Sequence, residues 1–117
     1  MTAIRGAVSI KADAPEEIMT AANGLFDELC RSNGLVEEDF VCLIISHTKD
    51  IRTLNSAAAL RKAGRCSNVP LFCVQEADIE GSMPLVIRMM ALVEKPLDDV
   101  HHVYLGEASK LRPDLSR

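Results

Sequence analysis

The spacing of apolar positions along this chain changes several times, and each change marks an element. Ala3-Ile4-Arg5-Gly6-Ala7-Val8-Ser9-Ile10 is short and partly alternating, the pattern of a strand. The repeat then lengthens. Ile18, Ala22, Leu25, Leu29 and Cys30 return at helical spacing, Pro15 suits a first helical turn, and Asp13 with Glu16 has the spacing of a capping box. Asn33-Gly34 tolerates the left-handed backbone that ends such a helix. Phe40 to Ile45 is apolar at every position and reads as a buried strand. A second helix is predicted over Asn55 to Ala63, rich in Ala and Leu, with Gly64 as its stop.

A third strand runs from Val69 to Gln75, with Pro70 at its start, where a missing N–H is tolerated. Leu85 to Val93 is a fourth strand, Pro96 to Val100 a short helical turn, and His102 to Leu105 a last strand. Leu111 to Arg117 reads as a polar, mobile tail. No repeat or linker interrupts this order, so residues 1–117 are expected to form one domain. Continuous apolar strands suit a sheet covered on both faces, yet two helices can cover only one. A neighbouring subunit is the simplest cover for the other.

Composition narrows the function classes. Aromatics are only 3%, so the core must be built from Leu, Ile, Val, Met and Ala. A net charge of −4 argues against a sequence-independent nucleic-acid binder, but one pocket can still concentrate a few arginines on an acidic chain. Cys30, Cys42, Cys66 and Cys73 form no C-x-x-C pair and no zinc-like spacing with histidine. With no signal-peptide pattern, and no apolar run long enough to cross a bilayer, they read as reduced thiols of a cytoplasmic protein.

Arg88 is the most informative residue. It interrupts the otherwise unbroken Leu, Val, Ile, Met and Ala of the fourth strand. A cation there is costly to desolvate unless a carboxylate or phosphate offsets the cost. A buried ion pair, an edge arginine reaching solvent and a ligand grip all satisfy that condition. Arg5, between Ile4 and Gly6, has a similar setting. Glu76 ends the strand that holds Cys73, placed to accept a ligand hydroxyl. The two have opposite parity, so only a bulge or bend near Gln75 turns both toward one ligand. His101-His102 is a poor metal pair, because adjacent strand residues point to opposite faces, and His47 is isolated. With no phosphate loop, nucleophile elbow or H-E-x-x-H motif, chemistry here is expected to need no nucleophile, metal, nucleotide or other cofactor.

Ile4-Arg5-Gly6-Ala7, Gln75-Glu76 with Asp78, Val86-Ile87-Arg88-Met89-Met90, and His102-Val103-Tyr104-Leu105 followed by Leu111-Arg112-Pro113-Asp114-Leu115 occur in an order and spacing that resemble the monofunctional chorismate mutases of the Bacillus type, the AroH-like family. The resemblance implies an α+β fold: a mixed five-stranded sheet with two main helices on one face, in a homotrimer forming a pseudo-α/β barrel with active sites between subunits. It implies an isomerase of aromatic amino acid biosynthesis that turns chorismate into prephenate. That reaction is an intramolecular rearrangement without proton transfer, which suits a site lacking a nucleophile.

By the same resemblance Arg88 donates to the breaking ether oxygen and a carboxylate, and Glu76 accepts from the ring hydroxyl with Cys73 beside it. Arg5 and Tyr104 bind carboxylate, Arg61 comes from the adjacent subunit, and Leu111 lies in a segment that closes over the site. The family's second helix often opens Phe-Pro-Ala, followed by a Lys or small residue and then the Arg. Here Asn55-Ser56-Ala57-Ala58-Ala59-Leu60-Arg61 puts an amide where an apolar substrate-contacting wall is expected, and Ala58 offers no ammonium. That change would suit a trimeric binding or sensor protein that kept the fold and lost turnover. An imine deaminase of similar architecture would instead need Glu76 to activate water.

Overall fold

The computed structural model describes residues 1–114. Strand β1 (Thr2–Ser9) leads to helix α1 (Pro15–Asn33), β2 (Phe40–His47) and helix α2 (Ser56–Lys62). Then come β3 (Leu71–Gln75), β4 (Val86–Val93) and β5 (Val103–Leu105), with short 3-10 turns at Glu37–Asp39 and Gly106–Lys110. The sheet has the order β3-β2-β4-β1-β5. β4 is antiparallel to both β1 and β2, whereas β5 is parallel to β1 and β3 parallel to β2, so the sheet is mixed.

Side-chain parity sorts the sheet into two faces. Ile4 and Val8 of β1, Leu43 and Ile45 of β2, and Ile87, Met89, Ala91 and Val93 of β4 share one buried core with Ile18, Leu25 and Leu29 of α1 and Leu60 of α2. Gly6 lies on this face for want of space. A Cβ there would sit 3.0 Å from Leu25 and 3.3 Å from both Leu29 and the Val103 carbonyl. At the start of β2 the register slips between Phe40 and Cys42, making Val41 the extra residue of a bulge. The bulge turns Phe40 onto the helix face, where its ring lies 5.4 Å from that of Phe26. Among the described residues the opposite face carries no α-helix; only the 3-10 turn Gly106–Lys110 packs on part of it, where Ala108 meets Ala7 and Val86. On the same face Phe72 is 66%, Ile44 39% and Val74 37% exposed.

Two local expectations need correction. The α1 cap is Ala14, whose methyl side chain has no acceptor to offer, and Pro15 follows in the first turn. Asp13 lies one residue too early to cap; its carboxylate accepts instead from the Arg52 and Thr53 amides at 3.0 and 3.1 Å and from the Thr53 hydroxyl at 2.8 Å. Pro96 to Val100 forms bends and no helical turn, since so short a run closes too few backbone bonds to offset nucleation. The turn after β5 was not foreseen. It begins at Gly106 with φ +62°, where a Cβ would lie 2.8 Å from the Ser9 hydroxyl. Within the segment read as a mobile tail, Leu111 packs against the small cluster of Ala7, Val86, Tyr104 and Ala108, and Arg112 pairs with Asp114. Residues 115–117 of that tail lie outside the described residues.

Candidate active site

The strand registers line up side chains across the helix-free face. Tyr104, Ala7, Arg88, Ser46 and Val74 form one row across all five strands. Arg5, Met90, Ile44 and Phe72 form the next. Arg5 and Arg88 are therefore diagonal neighbours on adjacent antiparallel strands, a spacing of about 7–8 Å between backbones. Between the rows lies a cavity of about 210 Å³ bordered by Arg5, Ile44, Ser46, Arg88, Met90 and Tyr104. Apolar walls with two guanidiniums and a phenol make it a receptor for a small organic anion.

Glu76 completes the site from one residue beyond β3. Its amide donates to the His47 carbonyl at 3.0 Å, which extends the β3–β2 ladder by one bond. The extension preserves parity, so Glu76 shares the helix-free face with Phe72 and Val74. One carboxylate oxygen accepts from Arg88 Nε at 2.9 Å and the other from the Ser46 hydroxyl at 3.2 Å. Arg88 is thus an ion pair and a cavity residue at once. Its recorded bond to Glu76 uses Nε, which leaves the terminal nitrogens for a ligand. Arg5 forms no ion pair among the described residues, so the two guanidiniums and one carboxylate leave this face locally cationic.

Three of the residues expected at the site lie elsewhere in the protomer. Cys73 pairs with Ile45 and packs against the main core, on the helix side of the sheet. No bulge near Gln75 brings it round to Glu76, because the β2–β3 register is continuous. Arg61 is exposed on α2, which packs on α1, β2 and β3, so the sheet separates it from the cavity. Asn55 is the α2 cap: its side-chain oxygen accepts from the Ala57 and Ala58 amides at 2.8 and 3.2 Å. Leu111 packs in the small cluster that contains Tyr104. The two histidines, both ahead of β5, turn to different partners, His101 Nε2 to Asp99 at 3.0 Å and His102 Nδ1 to the Arg5 amide at 3.0 Å.

Ser46 was overlooked in the sequence because it ends an apolar run and resembles an ordinary strand terminus. Its place beside Arg88 comes from strand register, which no local pattern in the chain announces. Met90 and Ile44 were read as core; they wall the cavity instead.

The chain that carries this two-arginine, one-carboxylate site has relatives. The family model described as chorismate mutase type I matches residues 1–115. The chain belongs to that family. Chorismate mutase AroH of Bacillus subtilis (strain 168) is 36% identical over 115 residues, covering 97% of this chain and 91% of that protein. Chorismate mutase AroH of Thermus thermophilus is 40% identical over 115 residues, covering 96% and 93%. Among solved structures, a chorismate mutase from Clostridium thermocellum superposes with a TM-score of 0.88 at 35% identity, covering 94% of this chain and 99% of that one. The type I fold, with its mixed sheet and two helices on one face, is the fold found here.

Proposed function

We infer that the chain is a chorismate mutase, an isomerase that rearranges chorismate to prephenate on the helix-free face of its sheet. The observation that carries this reading is the clustering of Arg88, Glu76, Arg5 and Tyr104 around one apolar cavity, in a chain of the type I family.

Chorismate carries two carboxylates, and its ether C–O bond breaks as a C–C bond forms in the same molecule. Nothing is protonated and no covalent intermediate forms, so the protein contributes conformation and electrostatics. Arg5 and Tyr104 hold a carboxylate at one end of the cavity. The terminal nitrogens of Arg88 donate to the ether oxygen, where negative charge grows as the bond lengthens. Glu76 has two tasks. It keeps the Arg88 guanidinium in one orientation through Nε, and it accepts from the ring hydroxyl with lone pairs left over by Arg88 and Ser46. Because the donors are fixed before charge develops, little reorganisation is needed during the reaction. Leu111, beside Tyr104, belongs to the segment that closes the site.

A homotrimer completes this picture. Phe72, Ile44 and Val74 offer an apolar surface on the same face as the cavity. Arg61, on the far side of its own sheet, reaches a cavity only from a neighbouring copy. Asn55 acts through α2, as its cap, and Cys73 supports the strand that leads to Glu76. Cytoplasmic residence fits four unpaired thiols, and no described helix is long and apolar enough to cross a membrane. The altered helix start gives no independent support to a non-catalytic sensor, since Asn55 is occupied in capping.

The test is turnover. Purified protein should consume chorismate, followed by loss of its ultraviolet absorbance, and yield prephenate. Binding of chorismate with no prephenate formed would overturn the enzymatic reading.

A further inference from the structure

The segment entering β5 is pinned by side chains in place of sheet pairing. Asn33, buried at the end of α1, clasps the His101 backbone from both sides. Its oxygen accepts from the His101 amide at 2.8 Å, and its nitrogen donates to the His101 carbonyl at 2.9 Å. The same nitrogen donates to the Leu29 carbonyl at 2.9 Å, tying the clasp to the helix. So anchored, His102 turns its ring to β1, where Nδ1 accepts from the Arg5 amide at 3.0 Å. Regular pairing starts one residue later, at Gly6 with Val103. The imidazole therefore does what a carbonyl of a longer β5 would do, at the residue whose side chain borders the cavity.

We propose that His102 is a positioning residue for Arg5: as a neutral imidazole protonated on Nε2 it holds the β1 backbone from which Arg5 grips substrate. This rests on the chorismate mutase reading of the cavity. An amide N–H is a donor only, so Nδ1 must be the acceptor and the ring proton must sit on Nε2. Protonation puts a second donor at Nδ1, facing the amide, and breaks the bond. Substrate affinity then falls in acid through a group that never touches substrate.

The surroundings of His102 are specific. It borders a second cavity of about 270 Å³ with Glu28, Arg31 and Ser32 of α1, and Tyr104 lies between this cavity and the first. The charged and titratable groups around it among the described residues include Glu28 and Arg31 on α1, Arg5 on β1, and Asp99, His101 and Tyr104 on its own segment. Glu28 is held below the ordinary carboxylate range by the hydrogen bond from Arg31, so its charge is constant across neutral pH. His101 is the other imidazole, and a His101→Gln control separates the two.

The experiment measures KM and kcat for chorismate between pH 5 and 8 in the full chain and in His102→Leu, His102→Asn and His101→Gln. Leu removes the acceptor, so KM at pH 7.5 should rise about tenfold while kcat stays within about twofold. Its KM should rise no further in acid. Asn restores an acceptor close to the Nδ1 position and cannot titrate, so KM should return toward wild type and the acid rise should vanish. His101→Gln should keep the wild-type acid rise. A Leu variant with wild-type KM and an intact acid rise would overturn the proposal.

Nitrogen-15 spectra of the intact, substrate-free protein provide the second measurement. The His102 ring should show the Nε2–H tautomer, and the Arg5 amide shift should move in step with the ring titration. An Nδ1–H tautomer, or an Arg5 amide blind to that titration, refutes the hydrogen bond whatever the variants do. Absence of chorismate turnover in the wild type would sink the activity alone, while the spectra still decide the role of His102.

Discussion

Replacement of Arg88 by Ala separates catalytic from structural use of one guanidinium. The Arg88–Glu76 pair is 2.9 Å long, with side chains 39% and 21% exposed, so solvent screens it substantially. A pair in that setting contributes at most about 1 kcal/mol to stability. For a chain of this size that is a fall in Tm of about 5 °C. Glu76 keeps the Ser46 hydroxyl and partial access to water, which limits the cost of leaving its charge unpaired. Activity should respond on another scale. One preorganised donor at a developing oxyanion is worth about 2.7–4 kcal/mol, a factor of about 10² to 10³ in kcat. The terminal nitrogens act together, so the loss should reach at least the upper figure. The assay pairs chorismate consumption with a thermal melt and sedimentation of the same sample. Arg88→Lys should recover less than about a tenth of the activity, since an ammonium cannot hold Glu76 and the ether oxygen in one plane. Turnover within tenfold of wild type in Arg88→Ala, or a variant that no longer folds, would refute the argument.

Asn55→Ala should destabilise the protein by about 1 kcal/mol, and Asn55→Asp should restore most of it, because the cap needs only a side-chain acceptor; chemical denaturation checks both, and equal stability of the two would contradict the capping role. Gly6→Ala should cost about 1–3 kcal/mol from crowding against Leu25, Leu29 and the Val103 carbonyl, read as a lower denaturation midpoint. Burial, helped by nearby acidic groups, raises the Cys30 thiol to about 11 and the Cys66 thiol to about 12 from an ordinary value of 9.0. A raised thiol pKa adds stability that is complete below 9.0 and is lost as pH climbs toward those values. Alkaline denaturation should therefore begin above about pH 9 and be shallower in Cys66→Ala. Cys66, 1% exposed, should also be the last thiol modified by a maleimide in the native protein.

How much of this was legible in the chain depends on the range over which each feature is determined. Helix α1 and strands β1, β2 and β4 were readable because burial imposes a period on neighbouring residues. The bare sheet face followed from counting apolar strands against two helices. Arg88 stood out because a cation in an aliphatic run demands a partner, and Glu76 supplies it. The missed cap at Ala14 and the unforeseen turn after Gly106 have a different origin. Each depends on a contact with distant chain, Asp13 with Arg52 and Thr53, and Gly106 with Ser9.

What the sequence alone determined is the order and type of the main elements and the improbable placement of one arginine. These arise from periodicity and desolvation, which act within a few residues. Only the tertiary structure decided which side chains share a face. Strand register sets Arg88 beside Ser46 and diagonal to Arg5, turns Cys73 away from Glu76, and brings His102 to the Arg5 amide. Pairing register is a long-range property, fixed by how whole strands bury their apolar sides against α1 and α2, and a one-residue slip would send every side chain of a strand to the other face.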